Sequence, residues 1–306
     1  MKPILAIITF LFSVTTSFGQ ELYSKTFGNV SDKAIIFLHG GPGYNSVNFE
    51  VSTAEELATK GFFVIVYDRR GEGRSENEEA NYTFNQTFDD LNKVYNQYNL
   101  KKATLIGHSF GGIIATLFAE KNPEKVKSLI LVSTPISFQK CLASTLESLK
   151  LIYIKNEDSV NQNYIKMIEG MDSKTLQYSS YILMHAMSNK FYSPKKPTEH
   201  AEQLYANLRT NPLIQKYGNL SNYKAPMGFW KNESYTTIDL SETIKMLNKD
   251  QVNIFGIYGK DDGIISENEI DNLSKLIGKE QVRYLENASH NVFIDQQKQF
   301  IDLIKK

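Results

Sequence analysis

One cysteine, Cys141, is all that the 306 residues contain. A lone thiol closes no intramolecular disulfide and has no Cys companions for a zinc site, so the fold is expected to rest on its apolar core. Charge of one sign is equally lacking, with 34 Lys and Arg against 34 Asp and Glu. That balance excludes the basic field of a nucleic-acid binder and the polybasic patch of a membrane-surface protein. Long hydrophobic runs are missing too. The stretch Ile4 to Phe12 is too short to span a bilayer, and no integral membrane segment is expected in the mature chain. Internal repeats and low-complexity tracts are absent as well.

The short apolar stretch has the flanks of a secretory signal peptide. Met1-Lys2-Pro3 is its basic start, Ser13 to Ser17 its polar end, and Ser17 and Gly19 are the small residues preceding a cut before Gln20. Residues 1–19 are therefore expected to be removed and the protein exported, to the periplasm or the exterior. No cysteine lies near the cut, which argues against a lipid anchor. The remaining chain of about 285 residues suits one α/β domain carrying an insertion, or at most two domains.

Apolar runs of the buried parallel-strand kind alternate with helical patterns. Ala34–Leu38, Phe62–Tyr67, Ala103–Ile106 and Leu129–Val132 read as strands; Thr53–Lys60, Thr87–Tyr98 and Phe110–Lys121 read as helices. Such alternation predicts a mostly parallel, doubly wound sheet with helices on both faces. The pattern stops at Pro135. A block rich in Tyr, Ser, Asn, Lys and Met follows, with helical stretches such as Ser144–Ile154 and no buried strand. It resumes with Val252–Tyr258, a helix over Glu267–Leu276, Gln281–Leu285, and a last helix over Phe293–Ile304. The expected division is a core of residues 20–135 and 248–306 around an insertion of residues 136–247. Only Leu22–Phe27 is available as a strand before Ala34, so the sheet should lack one edge strand of larger doubly wound relatives.

The run Ala103-Thr104-Leu105-Ile106 leads directly into Gly107-His108-Ser109-Phe110-Gly111. This is a G-x-S-x-G elbow, in which a strand turns sharply into a helix with the serine at the apex and glycines clearing the space around it. A serine hydroxyl needs a base within hydrogen-bond reach, and the base needs a carboxylate to orient it. Five histidines are available. His39 and His108 sit in glycine-rich turns, and His185 and His200 lie in the inserted block. His290 falls between the last strand and the last helix, where loops at the carboxyl ends of strands converge, and is assigned as the base. The acid must lie between the elbow and His290 in the chain order Ser, acid, His. Asp261 and Asp262 both follow the strand ending at Tyr258, and spacing does not choose between them. Upstream, His39-Gly40-Gly41-Pro42-Gly43 is a turn able to aim backbone N–H groups at one point; Gly41 and Phe110 N–H are the expected oxyanion donors. The run Asp68 to Ser75 reads as architecture, with its glycines and Arg69 or Arg70 fixing a loop beside the elbow.

Taken together, His39 to Gly43, Tyr67 to Ser75, the elbow, Gly259 to Asp262 and Ser289-His290 resemble the α/β-hydrolase superfamily. The first two segments are most similar to its proline iminopeptidase branch. The resemblance covers about two-thirds of the mature chain and is weak in the insertion. It implies the α/β-hydrolase fold, a helical cap formed by the insertion, and, counting four residues from Gly259, Asp262 as the acid. Two departures stand out. Many proline iminopeptidases read Gly-Gly-Ser-Trp-Gly at the elbow, and they anchor the substrate amino group with cap glutamates in a Glu-Asn-His-Tyr-Phe setting that this chain lacks. Glu233, in Trp230-Lys231-Asn232-Glu233, is the nearest candidate contact, with Trp230 beside it. A small molecule or short peptide is the expected partner. The chemistry, attack by Ser109 with His290 and Asp262 behind it, needs no metal or cofactor. N-terminal residue cleavage is the leading expectation, carboxylester or carbon–carbon bond hydrolysis the second, and a non-catalytic binding protein the third.

Overall fold

The computed structural model describes residues 22–76 and 79–305. The expected signal peptide and its cut therefore lie outside the described residues. The strands are β1 (Ser24–Phe27), β2 (Lys33–Leu38), β3 (Phe62–Tyr67), β4 (Ala103–His108), β5 (Val126–Val132), β6 (Asn253–Gly259) and β7 (Val282–Leu285). They form one sheet in the order β1-β3-β2-β4-β5-β6-β7. Only β1 runs antiparallel, pairing Ser24 with Tyr67 and Phe27 with Val64 at the edge. All other neighbours are parallel. The chain reverses direction across the sheet between β2 and β4, and at such a switch point loops at the carboxyl ends of the strands leave a crevice.

Fourteen α-helical segments occur among the described residues: α1 (Val47–Phe49), α2 (Glu55–Ala58), α3 (Phe84–Gln97), α4 (Phe110–Lys121), α5 (Phe138–Lys155), α6 (Ser159–Glu169), α7 (Leu176–Ser188), α8 (Glu199–Thr210), α9 (Pro212–Tyr217), α10 (Lys224–Glu233), α11 (Ser241–Lys249), α12 (Glu267–Ile277), α13 (Val292–Asp295) and α14 (Gln297–Ile304). No described helix is long and apolar enough to cross a membrane. The helix expected over Thr53–Lys60 is realised as α1, a π-helical turn over Glu50–Ala54, and α2. The final helix is split at Gln296 into α13 and α14.

Strand alternation divides the core in two. Ile36 and Leu38 of β2 and Phe63, Ile65 and Tyr67 of β3 face α3, α4 and α12. Ile35, Phe37, Phe62, Val64 and Val66 face the other way, onto Phe49, Leu57, Phe293 and Phe300. Successive side chains of a strand point to opposite faces, so a run apolar at every position is what a sheet covered on both sides requires. Phe37 and Phe49 stack at 3.8 Å between ring centroids, and Phe293 meets both edge-on.

Between β5 and β6 the chain is helical, with no strand. Its last helix, α11, buries Ile244 and Leu247 in the same cluster as α4 and α12, so the sheet's own helix layer resumes at Ser241, ahead of the boundary expected at residue 247. Replacing Phe37 by Ala removes the ring that joins β2 to Phe49 and Phe293 and is expected to lower stability by about 3–5 kcal/mol, read as a shifted urea midpoint at unchanged slope.

Candidate active site

Strand β4 delivers Ser109 to the carboxyl edge of the sheet and α4 begins at the next residue. Ser109 sits at φ 52° and ψ −122°, a conformation that a side-chain-bearing residue adopts only when its surroundings impose it. The imposed contacts are two hydrogen bonds, Ser109 N–H to the Val132 carbonyl and Gly112 N–H to the Ser109 carbonyl, both at 2.9 Å. The flanking glycines are required by close approach. A methyl group on Gly111 would lie 2.1 Å from the Leu38 carbonyl oxygen, and one on Gly107 would lie 2.5 Å from Gly112 Cα. β2 and the elbow are thus in backbone contact, which brings the turn after β2 over the serine.

His290 is held on three sides, by Asp262, by the edge-on Tyr192 ring at 5.0 Å between centroids and by His108. Its Nδ1 meets Asp262 Oδ2 at 2.9 Å. The other carboxylate oxygen, Oδ1, accepts Ile264 N–H at 2.9 Å and Ile265 N–H at 3.3 Å, so Asp262 is fixed before it orients the ring. Asp261 points elsewhere and accepts Lys195 N–H at 2.9 Å. Of the two neighbouring aspartates, Asp262 is therefore the one that faces the imidazole. The third support was not anticipated from sequence. His108, the residue before the serine, places Nε2 2.9 Å from the His290 carbonyl oxygen, with the two rings edge-on at 5.1 Å. Burial, together with the neighbouring His290, pushes the His108 imidazole down to about 3. It is neutral at physiological pH, and its Nε2–H donates to that carbonyl.

Ser109, Gly41 and His290 line one small cavity of about 60 Å³ with Pro135, Phe138, Cys141, Leu142, Leu183, Tyr192 and Ile264. In this conformation the Ser109 hydroxyl has no hydrogen-bond partner among the described residues; it opens onto the same space as the His290 ring. The Phe110 N–H is the first of α4 and has no acceptor within its helix, so it is free to face charge developing beside Ser109. The Gly41 turn is braced by Arg69, which donates to the His39 and Gly40 carbonyls and pairs with Glu72 through Nε at 2.9 Å. Glu72 in turn accepts Gly43 N–H at 2.6 Å. The Arg69 guanidinium also lies 5.3 Å from the Phe110 ring. Arg70 instead bonds Asp90 on α3.

The two expected substrate contacts lie outside this cavity lining. Glu233 accepts the Phe84 N–H at 2.7 Å, using its carboxylate at the positive end of α3. Trp230 donates Nε1–H to the Lys174 carbonyl at 2.8 Å and lines a separate groove with Lys174, Lys231, Ser234 and Thr237. Their place in the sequence did not reveal that both are occupied in joining elements together. His185 and His200 bond Tyr153 and Gln297.

A family model described as the alpha/beta hydrolase fold matches residues 33–297. The chain belongs to the α/β-hydrolase family. A proline iminopeptidase of Lactobacillus delbrueckii subsp. bulgaricus is 38% identical over 125 residues, 38% of this chain and 42% of that protein, so the chain spans under half the length of this relative. A proline iminopeptidase of Saccharolobus solfataricus is 24% identical over 300 residues, 94% of this chain and 89% of that protein. Among solved structures, an esterase of Exiguobacterium antarcticum superposes with a TM-score of 0.59 at 21% identity, covering 92% of this chain and 93% of that one. The esterase likeness shows the hydrolase fold.

Two outcomes test the site's physical state. Glu72→Gln leaves the Arg69 guanidinium, with a side chain only 2% exposed, without its counter-ion, and should cost about 3–5 kcal/mol in chemical denaturation. Burial, reinforced by Glu269, holds the Cys141 thiol well above its ordinary range. Iodoacetamide at pH 8 should therefore leave the native hydrolase unlabelled and modify Cys141 only after denaturant is added.

Proposed function

We propose that this α/β hydrolase is a serine hydrolase working through an acyl-enzyme. The observation that carries the reading is the Asp262–His290 hydrogen bond of 2.9 Å at the wall of the cavity onto which Ser109 opens. Ser109 Oγ attacks a carbonyl carbon while His290 Nε2 takes its proton. The anionic oxygen is received by the Gly41 and Phe110 N–H groups, and the dipole of α4 adds to that stabilisation. His290 then returns the proton to the leaving group, and a water activated by the same imidazole hydrolyses the ester on Ser109. Asp262 keeps the proton on Nδ1, leaving Nε2 free to act as the base, and offsets the charge of the imidazolium.

We assign the substrate as a short peptide or related amide cleaved after its first residue, the activity carried in the names of the relatives that match by sequence. The inserted helices act as the cap over the site, contributing Phe138, Cys141, Leu142, Leu183 and Tyr192 to the cavity wall. One observation favours a second reading, hydrolysis of a small acyl ester. Apart from the groups that would carry the reaction, the lining is apolar or uncharged, and the Glu233 carboxylate is committed to Phe84. An ammonium group on the substrate would find no free anion there, and leaving such a charge unpaired in a closed site is costly.

Ser109→Ala should abolish turnover of p-nitrophenyl butyrate and of prolyl naphthylamide while leaving the thermal transition in place. Turnover retained by the purified variant overturns the mechanism. A panel of aminoacyl naphthylamides against short-chain acyl esters separates the two substrates, and activity on esters alone removes the peptidase assignment. If the intact protein fails to react with a fluorophosphonate, the chain is a binding protein on a hydrolase scaffold.

A further inference from the structure

Beneath the His290 loop lies a carboxylate that the mechanism above does not use. Asp295, at the end of α13, has no exposed surface. Its Oδ2 accepts the N–H of Ser289 at 2.7 Å, one residue before His290. Its Oδ1 accepts the hydroxyl of Tyr205 at 2.7 Å. Tyr205 belongs to α8 of the inserted helices, and the Asn291 side chain, one residue after His290, bonds the same hydroxyl. The backbone closes the ring, because Asp295 N–H bonds the Asn291 carbonyl at 3.0 Å. Both neighbours of His290 in the chain are thus tied to one buried carboxylate, one directly and one through a tyrosine of the insertion.

We propose that Asp295 is a positioning residue for the His290 imidazole and that α8 of the insertion acts on the base through Tyr205 and Asp295. This rests on the serine-hydrolase reading, in which His290 is the base. Ser289, the residue before His290, is held in place with α8 only while the buried carboxylate can take both its N–H and the Tyr205 hydroxyl. An ionised carboxylate can do so, whereas a protonated one carries a donor of its own on one oxygen. A displacement of the imidazole by a fraction of an ångström is enough to lose rate, because the reacting atoms must meet in a narrow geometry.

The electrostatic surroundings make the device sensitive to pH. Burial, with a smaller push from Asp262 beyond the end of β6, outweighs the lowering by the Ser289 N–H, the Tyr205 hydroxyl and His290, and together they leave the Asp295 carboxyl raised to about 6. Below that pH Asp295, the support of the base, leaves its working state. The rate should therefore fall as the pH drops through that value. Removing the Tyr205 hydroxyl removes one of the influences that lower the Asp295 carboxyl, so the acid limb should move to higher pH.

The test is the rate of fluorophosphonate labelling of the full chain between pH 4 and 9, with Ser109→Ala as the control. Tyr205→Phe deletes one hydroxyl and keeps the Ser289 bond. It should label about threefold more slowly at pH 7, with its acid limb moved upward. Asp295→Asn should label about tenfold or more slowly at pH 7, with an acid limb no longer set by a carboxyl at this position, since an amide keeps one acceptor oxygen and puts an NH₂ in place of the other. Wild-type rate and an unmoved acid limb in Tyr205→Phe overturn the proposal, even where Asp295→Asn fails to fold. If wild type labels, Ser109→Ala does not, and Tyr205→Phe behaves as wild type, the positioning role alone is lost. Labelling of Ser109→Ala at the wild-type rate removes the serine-hydrolase reading beneath it.

Discussion

The Arg69–Glu72 ion pair is the constraint on which the rest of the site depends. The two side chains are almost fully excluded from solvent and meet through two guanidinium nitrogens. Removing such a pair from water is expensive, and the expense is recovered only where every remaining donor and acceptor is satisfied. Here the remaining groups are satisfied by the turn after β2: Arg69 takes the His39 and Gly40 carbonyls, and Glu72 takes Gly43 N–H. The pair thus specifies the path of a glycine-rich turn that has few side chains with which to specify itself. His39 completes the bracing, since its Nε2 accepts Arg69 N–H at 3.1 Å and its Nδ1–H meets the Gly40 carbonyl. Burial, with Arg69 nearby, keeps that imidazole well below its ordinary range and hence neutral, as both bonds require.

The same logic separates what the sequence makes legible from what it hides. The central strands β2 to β6 are visible as apolar runs because a sheet covered on both faces leaves few polar positions in their buried parts, whereas the edge strands β1 and β7 are only partly buried. The elbow is visible because a methyl group on Gly111 or Gly107 would come within 2.1 or 2.5 Å of neighbouring backbone, which only glycine avoids. Helix α4, Phe110–Lys121, has the limits expected of it. By contrast, the π-helical turn at Glu50–Ala54 left no local trace. Glu50 is buried there and bonds Tyr23, Lys25 and Arg74, partners that lie 24 to 27 residues away in the chain. Such partners are long-range facts, invisible to periodicity.

Side-chain roles follow the same division. Asp261 and Asp262 are indistinguishable by spacing and differ only in what the fold sets opposite them, Lys195 for one and His290 for the other. Glu233 and Trp230 looked available because a sequence gives residue types without their commitments. His108 was passed over as a turn residue for the opposite reason. Its commitment to the His290 carbonyl joins residues 182 apart in the chain. The position between glycine and serine in the elbow did hold a usable signal, since a histidine is an unexpected choice where only backbone geometry is at stake.

His290 is therefore supported by two buried carboxylates with different partners. Asp262 takes two backbone N–H groups and the imidazole. Asp295 is buried just as deeply, with one N–H and one hydroxyl, and its carboxyl is raised to about 6. The sign of the linkage follows. A carboxyl raised in the folded state binds its proton at a pH where the unfolded chain has already released it, so between about 6 and the ordinary carboxylate range this group favours the folded state increasingly as pH falls. The protonation that strengthens the fold at this position is the one that weakens the support of the base. Retaining an acid in so unfavourable a place makes physical sense where two acceptor oxygens are needed at once, one for Ser289 N–H in the His290 loop and one for the Tyr205 hydroxyl on α8.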